Sequence, residues 1–407
     1  MTTRNERFSR ERLAGYDPDL MGRSVVLIVG AGALGQNVAQ DLALSGVGEI
    51  RIIDKDTFED HNQTRSPAYP IGEEQAQYGL KKARAVAHKL RRLMTAPQAR
   101  MRYADAWIQE LGDGAFKDVS VVLSCVDTQA GRAHLADKTR LLGLPLIEAG
   151  FEGADISLSV YPAVTGEQAR VTPCWRCTHQ EAVGAFSCQF YAAAAERAGI
   201  VPAIQNAAAV LGGLQAEAAI QVLHLEGEAP LQTRVMDFNI RHGDARVLKL
   251  ATDSLCPGVH RAFERMPVKL TVSATSTVGQ LLEELSQYFA LPPMVELFYR
   301  FVWSATCPAC DRLVAVRQPD WLWMMDARCA ECRGVGANAE LASTISTPTM
   351  YSQLTTGCNE ELLQTSCQTV GLPPLSLIEA IDEGGTVKLF ELSGSLDDLF
   401  QLEESYG

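Results

Sequence analysis

Residues 25–54 read VVLIV-GAGALG-QNVAQDLALSGVGEIRIID, from Val25 to Asp54. Five apolar residues make a buried strand, and Gly30-Ala31-Gly32-Ala33-Leu34-Gly35 makes a tight turn. An amphipathic helix follows, and a second apolar run closes on Asp54 about 20 residues after the glycines. This strand, glycine turn, helix and strand predict a βαβ unit that places a nucleotide phosphate at the helix N-terminus and an acidic group on a ribose. Working outward, Leu80–Met94 reads as a helix, Val119–Val126 and Pro145–Ala149 as buried strands, and Ile204–His224 as an Ala-rich helix. The expected fold is α/β, with a Rossmann-like, doubly wound and mostly parallel sheet over about residues 20 to 250. From Pro267 the alternation stops, and PVKLTVSATSTVGQLLEEL reads as strand, turn and helix ahead of two cysteine pairs. The expected division is residues 1–262 and a smaller C-terminal region, 263–407.

Composition removes several functional classes. At 407 residues, 47% apolar and 21% charged, the chain can bury a large core, which excludes a disordered tail. Thirty-six Lys and Arg against 49 Asp and Glu leave a net charge of -13, so the chain lacks the basic footprint of a nucleic-acid binder. No apolar run reaches the roughly 18 residues of a membrane helix, and MTTRNERFSRERL carries no apolar signal core. The expectation is a cytoplasmic protein with neither membrane nor nucleic acid as partner. Its 11 cysteines then point to metal or thiol chemistry rather than to a disulfide framework.

A glycine turn of this kind serves a dehydrogenase as readily as an ATP enzyme, and Asp54 suits either ribose. The following loop decides. IIDKDTFEDHNQTRS carries Asp54, Asp56, Asn62 and Arg65; Lys82 follows in GLKKA, and Asp127 with Arg132 in SCVDTQAGR. Several cations with an extra carboxylate around Gly30, Gly32 and Gly35 suit a triphosphate with Mg2+, because nucleotidyl transfer is catalysed mainly by positioned positive charge. Hydride transfer needs none of them.

These segments, with RFSRERL, PCWRC and AGIVPAIQNAAAVLGGLQAEAAIQVL, resemble the ubiquitin-activating-enzyme, MoeB and ThiF superfamily over about residues 5 to 260. The resemblance implies ATP-dependent adenylation of the C-terminal carboxylate of a ubiquitin-like protein. It also implies roles: Asp54 on the ribose, Asn62, Arg65 and Lys82 on the phosphates, and Asp127 on Mg2+. Arg10 would enter the neighbouring protomer's ATP site, which implies a homodimer. His61, Gln63, Thr64 and Ser66 depart from the family's asparagine loop, and Thr128 stands where an Asn usually follows the Asp, which touches substrate fit more than reaction type. The extended C-terminal region is similar to the activating enzymes of bacterial ubiquitin-like conjugation operons linked to phage defence. The alternatives are a sulfur-carrier adenylyltransferase, or a non-catalytic module that keeps the nucleotide fold.

The cysteines add metal and acyl chemistry. Cys174 and Cys177 match the family's first zinc knuckle. In place of an intact second pair stand Cys256 and, with Val259 at the other cysteine position, His260, an imidazole that zinc accepts equally well. Cys307, Cys310, Cys329 and Cys332 have the spacing of a zinc ribbon over 307–332, so two zinc ions are expected. Cys188 lies alone in a polar loop where the family carries the cysteine that takes the acyl group as a thioester for a conjugating enzyme. Arg176, His179 and Arg197 are its candidate cationic neighbours. Cys125 ends a buried strand and reads as core, while Cys358 or Cys367 is the alternative acceptor.

Overall fold

The computed structural model describes residues 7–179, 203–224, 233–307, 310–325 and 346–403. Five strands, β1 (Val25–Val29), β2 (Glu49–Ile53), β3 (Arg100–Ala104), β4 (Val121–Ser124) and β5 (Leu146–Glu152), run parallel in the order β3-β2-β1-β4-β5. Val26, Leu27 and Ile28 are fully buried, as expected of strands covered on both faces, which read as apolar runs rather than alternating ones. The chain lays down β1, β2 and β3 on one side and then returns to place β4 on the other side of β1. That reversal opens a crevice at the strands' carboxyl ends, the place where such sheets bind ligands. The doubly wound α/β sheet expected from the sequence is therefore present, built from β1 to β5.

Beyond it the sheet turns antiparallel. β6 (Asp155–Tyr161), β7 (Arg234–Asn239) and β8 (Ala245–Lys249) follow β5 in order. The residues of β8 are all exposed, Val247 and Leu248 among them. On the sheet face, helix Ala33–Leu44 buries Leu34, Val38 and Leu42, and helix Gln205–His224 packs along it. The two helix backbones approach closely because Gly212 has no side chain: a Cβ there would lie 2.7 Å from Cβ of Asn37. Within β2, Glu49 and Arg51 are buried and satisfy one another, Arg51 Nε to Glu49 Oε1 at 2.7 Å. No helix among the described residues is long and apolar enough to cross a membrane.

The chain divides into two compact units, one of residues 1–109, 115–264 and 400–407, the other of residues 110–114 and 265–399. In the second, β9 (Val268–Ser273), β10 (Pro293–Thr306), β11 (Leu313–Pro319), β12 (Ser346–Leu354), β13 (Leu377–Asp382) and β14 (Val387–Ser393) form a sheet in the order β11-β10-β13-β14-β9, with β12 also on β10. Helix Val278–Ser286 starts at a reciprocal capping box between Thr277 and Gln280. It sets Leu281, Leu282 and Leu285 into a core with Phe301 and Phe390. A short last strand, β15 (Gln401–Glu403), pairs antiparallel with β3 and so belongs to the first sheet.

Candidate active site and metal centre

The glycine loop joins β1 to helix Ala33–Leu44, and its three glycines meet different constraints. Gly30 has φ +101°, and a Cβ on it would sit 2.4 Å from the backbone oxygen of Cys125. A Cβ on Gly35 would lie 1.9 Å from the oxygen of Gly30. Both shape the turn. Gly32, the helix N-cap, has open space where its Cβ would be, so nothing in the fold itself demands a glycine there. A backbone that a phosphate must approach does demand one.

Asp54 follows β2 and faces the same loop. Its Oδ2 accepts the N–H of Ala31 and its Oδ1 the N–H of Asp56, both at 2.7 Å. Burial pushes its carboxyl up from the ordinary range, against the pull of those two N–H groups and of Lys82. Behind the loop, the buried Gln36 donates to the oxygen of Ala31 at 2.9 Å and accepts from the N–H of Ala68 at 2.8 Å. It clamps the turn from inside, and the sequence reading missed it, since one Gln in a helix carries no motif.

The other expected site residues follow the carboxyl ends of β2 and β4, except Arg10, since Phe8 near it packs on Gly46, ahead of β2. Lys82 starts helix Lys82–Arg91 and pairs with Asp56 at 3.2 Å. Arg65 ends the short 3-10 helix Asp60–Arg65 and donates to the oxygen of His61 at 2.8 Å. Asn62 is buried, with its Oδ1 accepting the N–H of Glu59 at 3.0 Å, which leaves its Nδ2 donors for a ligand. Asp127 is exposed just past β4, ahead of helix Gln129–Leu142 and its cap Thr128. Arg132 is held by Glu148 on β5. Arg10 lies exposed on the short helix Ser9–Leu13.

A second cluster lies on the first unit. Cys174, Cys177, Cys256 and His260 bring one ligand atom each within 4.8 Å of one another. The individual approaches include Cys174 Sγ to Cys256 Sγ at 3.6 Å and to His260 Nε2 at 3.4 Å, and Cys177 Sγ to His260 Nε2 at 3.5 Å. Three thiols and an imidazole at these separations match a tetrahedral zinc shell. Burial and the neighbouring thiols push the Cys174 thiol up, and burial with the Arg140 charge holds His260 below its usual value. Thiolates crowded this closely need a dication among them, and a neutral imidazole is the ligating form. The donor set fits zinc. Gly258 lets the second knuckle close, because a Cβ there would lie 3.0 Å from Cys174 Sγ.

Of the other cysteines, Cys307 is buried at the end of β10 and Cys310 lies in the turn to β11, whereas Cys329 and Cys332 lie outside the described residues. So do Cys188 and Arg197. Arg176 is paired with Asp137 at 2.9 Å, and His179 stacks on Trp175 with ring centroids 4.3 Å apart. Cys125 Sγ donates to Gln215 Oε1 at 3.3 Å beneath the glycine loop, in the core role expected of it. Cys367 is wholly buried, and burial pushes its thiol up to about 12, which leaves it protonated and inert as a nucleophile. Cys358 is half-buried beside Thr355.

The chain is similar in sequence to known proteins. "Adenylyltransferase and sulfurtransferase uba4" of Aspergillus fumigatus (strain CBS 144.89 / FGSC A1163 / CEA10) is 36% identical over 155 residues, covering 37% of this chain and 30% of that protein. The Mus musculus protein "Adenylyltransferase and sulfurtransferase MOCS3" is 35% identical over 160 residues, 39% of this chain and 32% of its own. The match thus spans about a third of the length of these curated relatives. Among solved structures, E. coli MccB with ATP superposes with a TM-score of 0.49 at 19% identity, covering 63% of this chain and 74% of that one. The ThiF family model matches residues 15–258, more than half of the sequence, and the chain belongs to the ThiF family.

Proposed function

We propose that this chain uses ATP to adenylate the C-terminal carboxylate of a small ubiquitin-like protein. What supports the reading is the open Gly32 backbone beside Asp54, whose Oδ2 accepts the N–H of Ala31, with the Asp56–Lys82 pair following β2 and the exposed Asp127 following β4. A carboxylate oxygen of the partner attacks the α-phosphorus, the bond from that phosphorus to the β-phosphate bridging oxygen breaks, and pyrophosphate leaves. Asp54 orients the ribose, the N–H groups at the start of helix Ala33–Leu44 take the phosphates, and Lys82, Arg65 and the Asn62 amide spread the charge of the leaving pyrophosphate. Asp127, an exposed carboxylate at the crevice mouth, suits Mg2+, which binds through one or two carboxylates together with substrate phosphates. That ion would neutralise phosphate charge.

After adenylation, Cys188 takes the acyl group as a thioester and AMP leaves; a conjugating enzyme then receives the acyl group. The chain works as a homodimer in which Arg10 completes the neighbouring site, and the exposed apolar residues Val247 and Leu248 of β8 suit such a contact. Cys174, Cys177, Cys256 and His260 hold one structural zinc, and Cys307, Cys310, Cys329 and Cys332 hold a second. A role in phage-defence conjugation fits the same chemistry. The rival reading ends in sulfur transfer, and it is favoured by the curated relatives, whose names pair adenylyltransferase with sulfurtransferase.

Pyrophosphate exchange into ATP tests the first step. It should require the partner's free C-terminus and fall at least a hundredfold in Asp127→Ala; unchanged exchange there would remove the Mg2+ role. Cys188→Ala should retain exchange and lose a reductant-sensitive adduct of enzyme and partner. An adduct that persists in Cys188→Ala and disappears in Cys358→Ala would move the acceptor. Exchange with no adduct in the wild type would favour the sulfur-carrier reading.

A further inference from the structure

Two charged side chains on one helix address the Cys-His cluster, and no nucleotide chemistry requires either. Asp137 and Arg140 stand one turn apart on helix Gln129–Leu142, and both are buried. Asp137 Oδ2 accepts from Arg176 Nη1 at 2.9 Å, and its Oδ1 accepts the N–H of Val259, also at 2.9 Å. Arg176 sits between Cys174 and Cys177, and Val259 sits next to His260. One carboxylate therefore holds the two halves of the cluster, which are some 80 residues apart in sequence.

Arg140 is only 5% exposed. Its Nη2 donates to the oxygen of Pro173, the residue before Cys174, at 2.8 Å, while its Nη1 has no hydrogen-bond partner among the described residues. Burial acts against the guanidinium charge, and charge on Cys174, Cys177 and Cys256 acts for it. The cavity that Arg140 lines with Tyr161, Trp175 and Cys174 holds about 10 Å3. That is room for about one water.

Three thiolates and a neutral imidazole around a dication leave one net negative charge, buried in the protein. A buried charge without a partner is costly. We propose that Arg140 is the counter-cation of the Cys174-Cys177-Cys256-His260 metal centre and that Asp137 is the clasp that joins its two halves. Both are positioning residues, since neither supplies a metal-ligand atom. The inference rests on the zinc reading of the cluster and extends it to the residues that set how firmly the metal is held.

The test measures zinc release from the full-length protein to a colorimetric chelator, with Cys174→Ser used to identify the ion that belongs to this centre. If wild type and Cys174→Ser hold the same zinc, the metal reading itself fails. If the centre's zinc is present, Arg140→Met should release it about 10- to 100-fold faster, the range known for residues that support metal ligands, while Arg140→Lys stays within a few fold of wild type. The charge argument is isolated by His260→Cys, which turns the centre into a four-thiolate dianion: the Arg140→Met factor should grow in that background. Asp137→Asn should also speed release, with a factor that His260→Cys leaves unchanged. A wild-type release rate in Arg140→Met overturns the proposal, as does Arg140→Lys matching Arg140→Met, or an Arg140→Met factor that is the same in both backgrounds. Should Arg140→Met fail to fold, the release rate of Arg140→Lys against that of Arg140→Gln decides on the same criterion.

Discussion

The three glycines of the turn after β1 separate folding from binding. A methyl group on Gly35 would collide with the backbone oxygen of Gly30, and one on Gly32 would meet nothing. Gly35→Ala should therefore cost about 3 kcal/mol or prevent folding, the scale of an overpacked core. Gly32→Ala should melt within about 2 °C of wild type and yet lose at least tenfold in ATP-dependent pyrophosphate exchange, because the new carbon stands where a phosphate must come. Thermal melts and exchange assays on the two variants check both halves, and a Gly32→Ala that retains full exchange would mean that no phosphate lies against that backbone. The spacing of these glycines was legible in the sequence; the division of labour among them was not, since it depends on which neighbour each Cβ would touch. Asp137 and Arg140 were illegible for a related reason. Within LADKTRLL they resemble the charges of any solvated helix, and only the packing of that helix under the two knuckles gives them partners. His260 was legible because it lies four residues beyond Cys256, where zinc can use an imidazole in place of a thiolate.

At the level of elements, β1, β2, β4 and β5 announce themselves by apolar runs and glycine punctuation, whereas β3, RMRYA, carries two arginines and no such signal. β6, β7 and β8 have no such signature, because β7 is half-buried along its length and β8 is wholly exposed, so neither needs an apolar run, and β6, though mostly buried, interleaves Asp155, Ser157 and Ser159 with its apolar residues. Helix Gln129–Leu142 has a property of its own. His134, on this helix, is 3% exposed, and burial, reinforced by the charge of Lys138, holds it well below its ordinary value. An unfolded histidine takes up its proton near pH 6.5 and this one at a lower pH, so the unfolded state binds more protons as the pH falls, and stability is lost below that value. Stability should therefore fall as the pH drops from 7 to 5. Urea titrations at the two pH values should show it, and His134→Gln should remove most of the difference. A pH dependence that is the same in His134→Gln would assign the acid sensitivity to other groups.

Across the whole molecule, the chain passes between its two units four times: at 109/110, 114/115, 264/265 and 399/400. The second unit is thus an insertion in the first, closed by β15 as the outer neighbour of β3, where Tyr103 donates to Gln401 and His88 meets Glu403 at 2.8 Å. Nothing in the three residues of β15 predicts a strand, and its pairing with a partner some 300 positions away is invisible to any local pattern.

That late-added strand bears on how the protein can be dissected. A fragment ending at residue 264 would keep every nucleotide and Cys-His position but leave the β3 ladder open, and an open ladder of buried residues templates association with other chains. Such a fragment should aggregate when expressed alone and recover solubility when a peptide spanning residues 400–407 is supplied in trans, as seen by size-exclusion chromatography of the pair. A monodisperse fragment without the peptide would show that the ladder closes by other means. The two pieces would then form a complementation pair whose reassembly reports on the β3 edge of the first sheet, where the N–H of Asp54 bonds the oxygen of Ala104 at 3.2 Å, and β15 would serve as a detachable handle on that sheet.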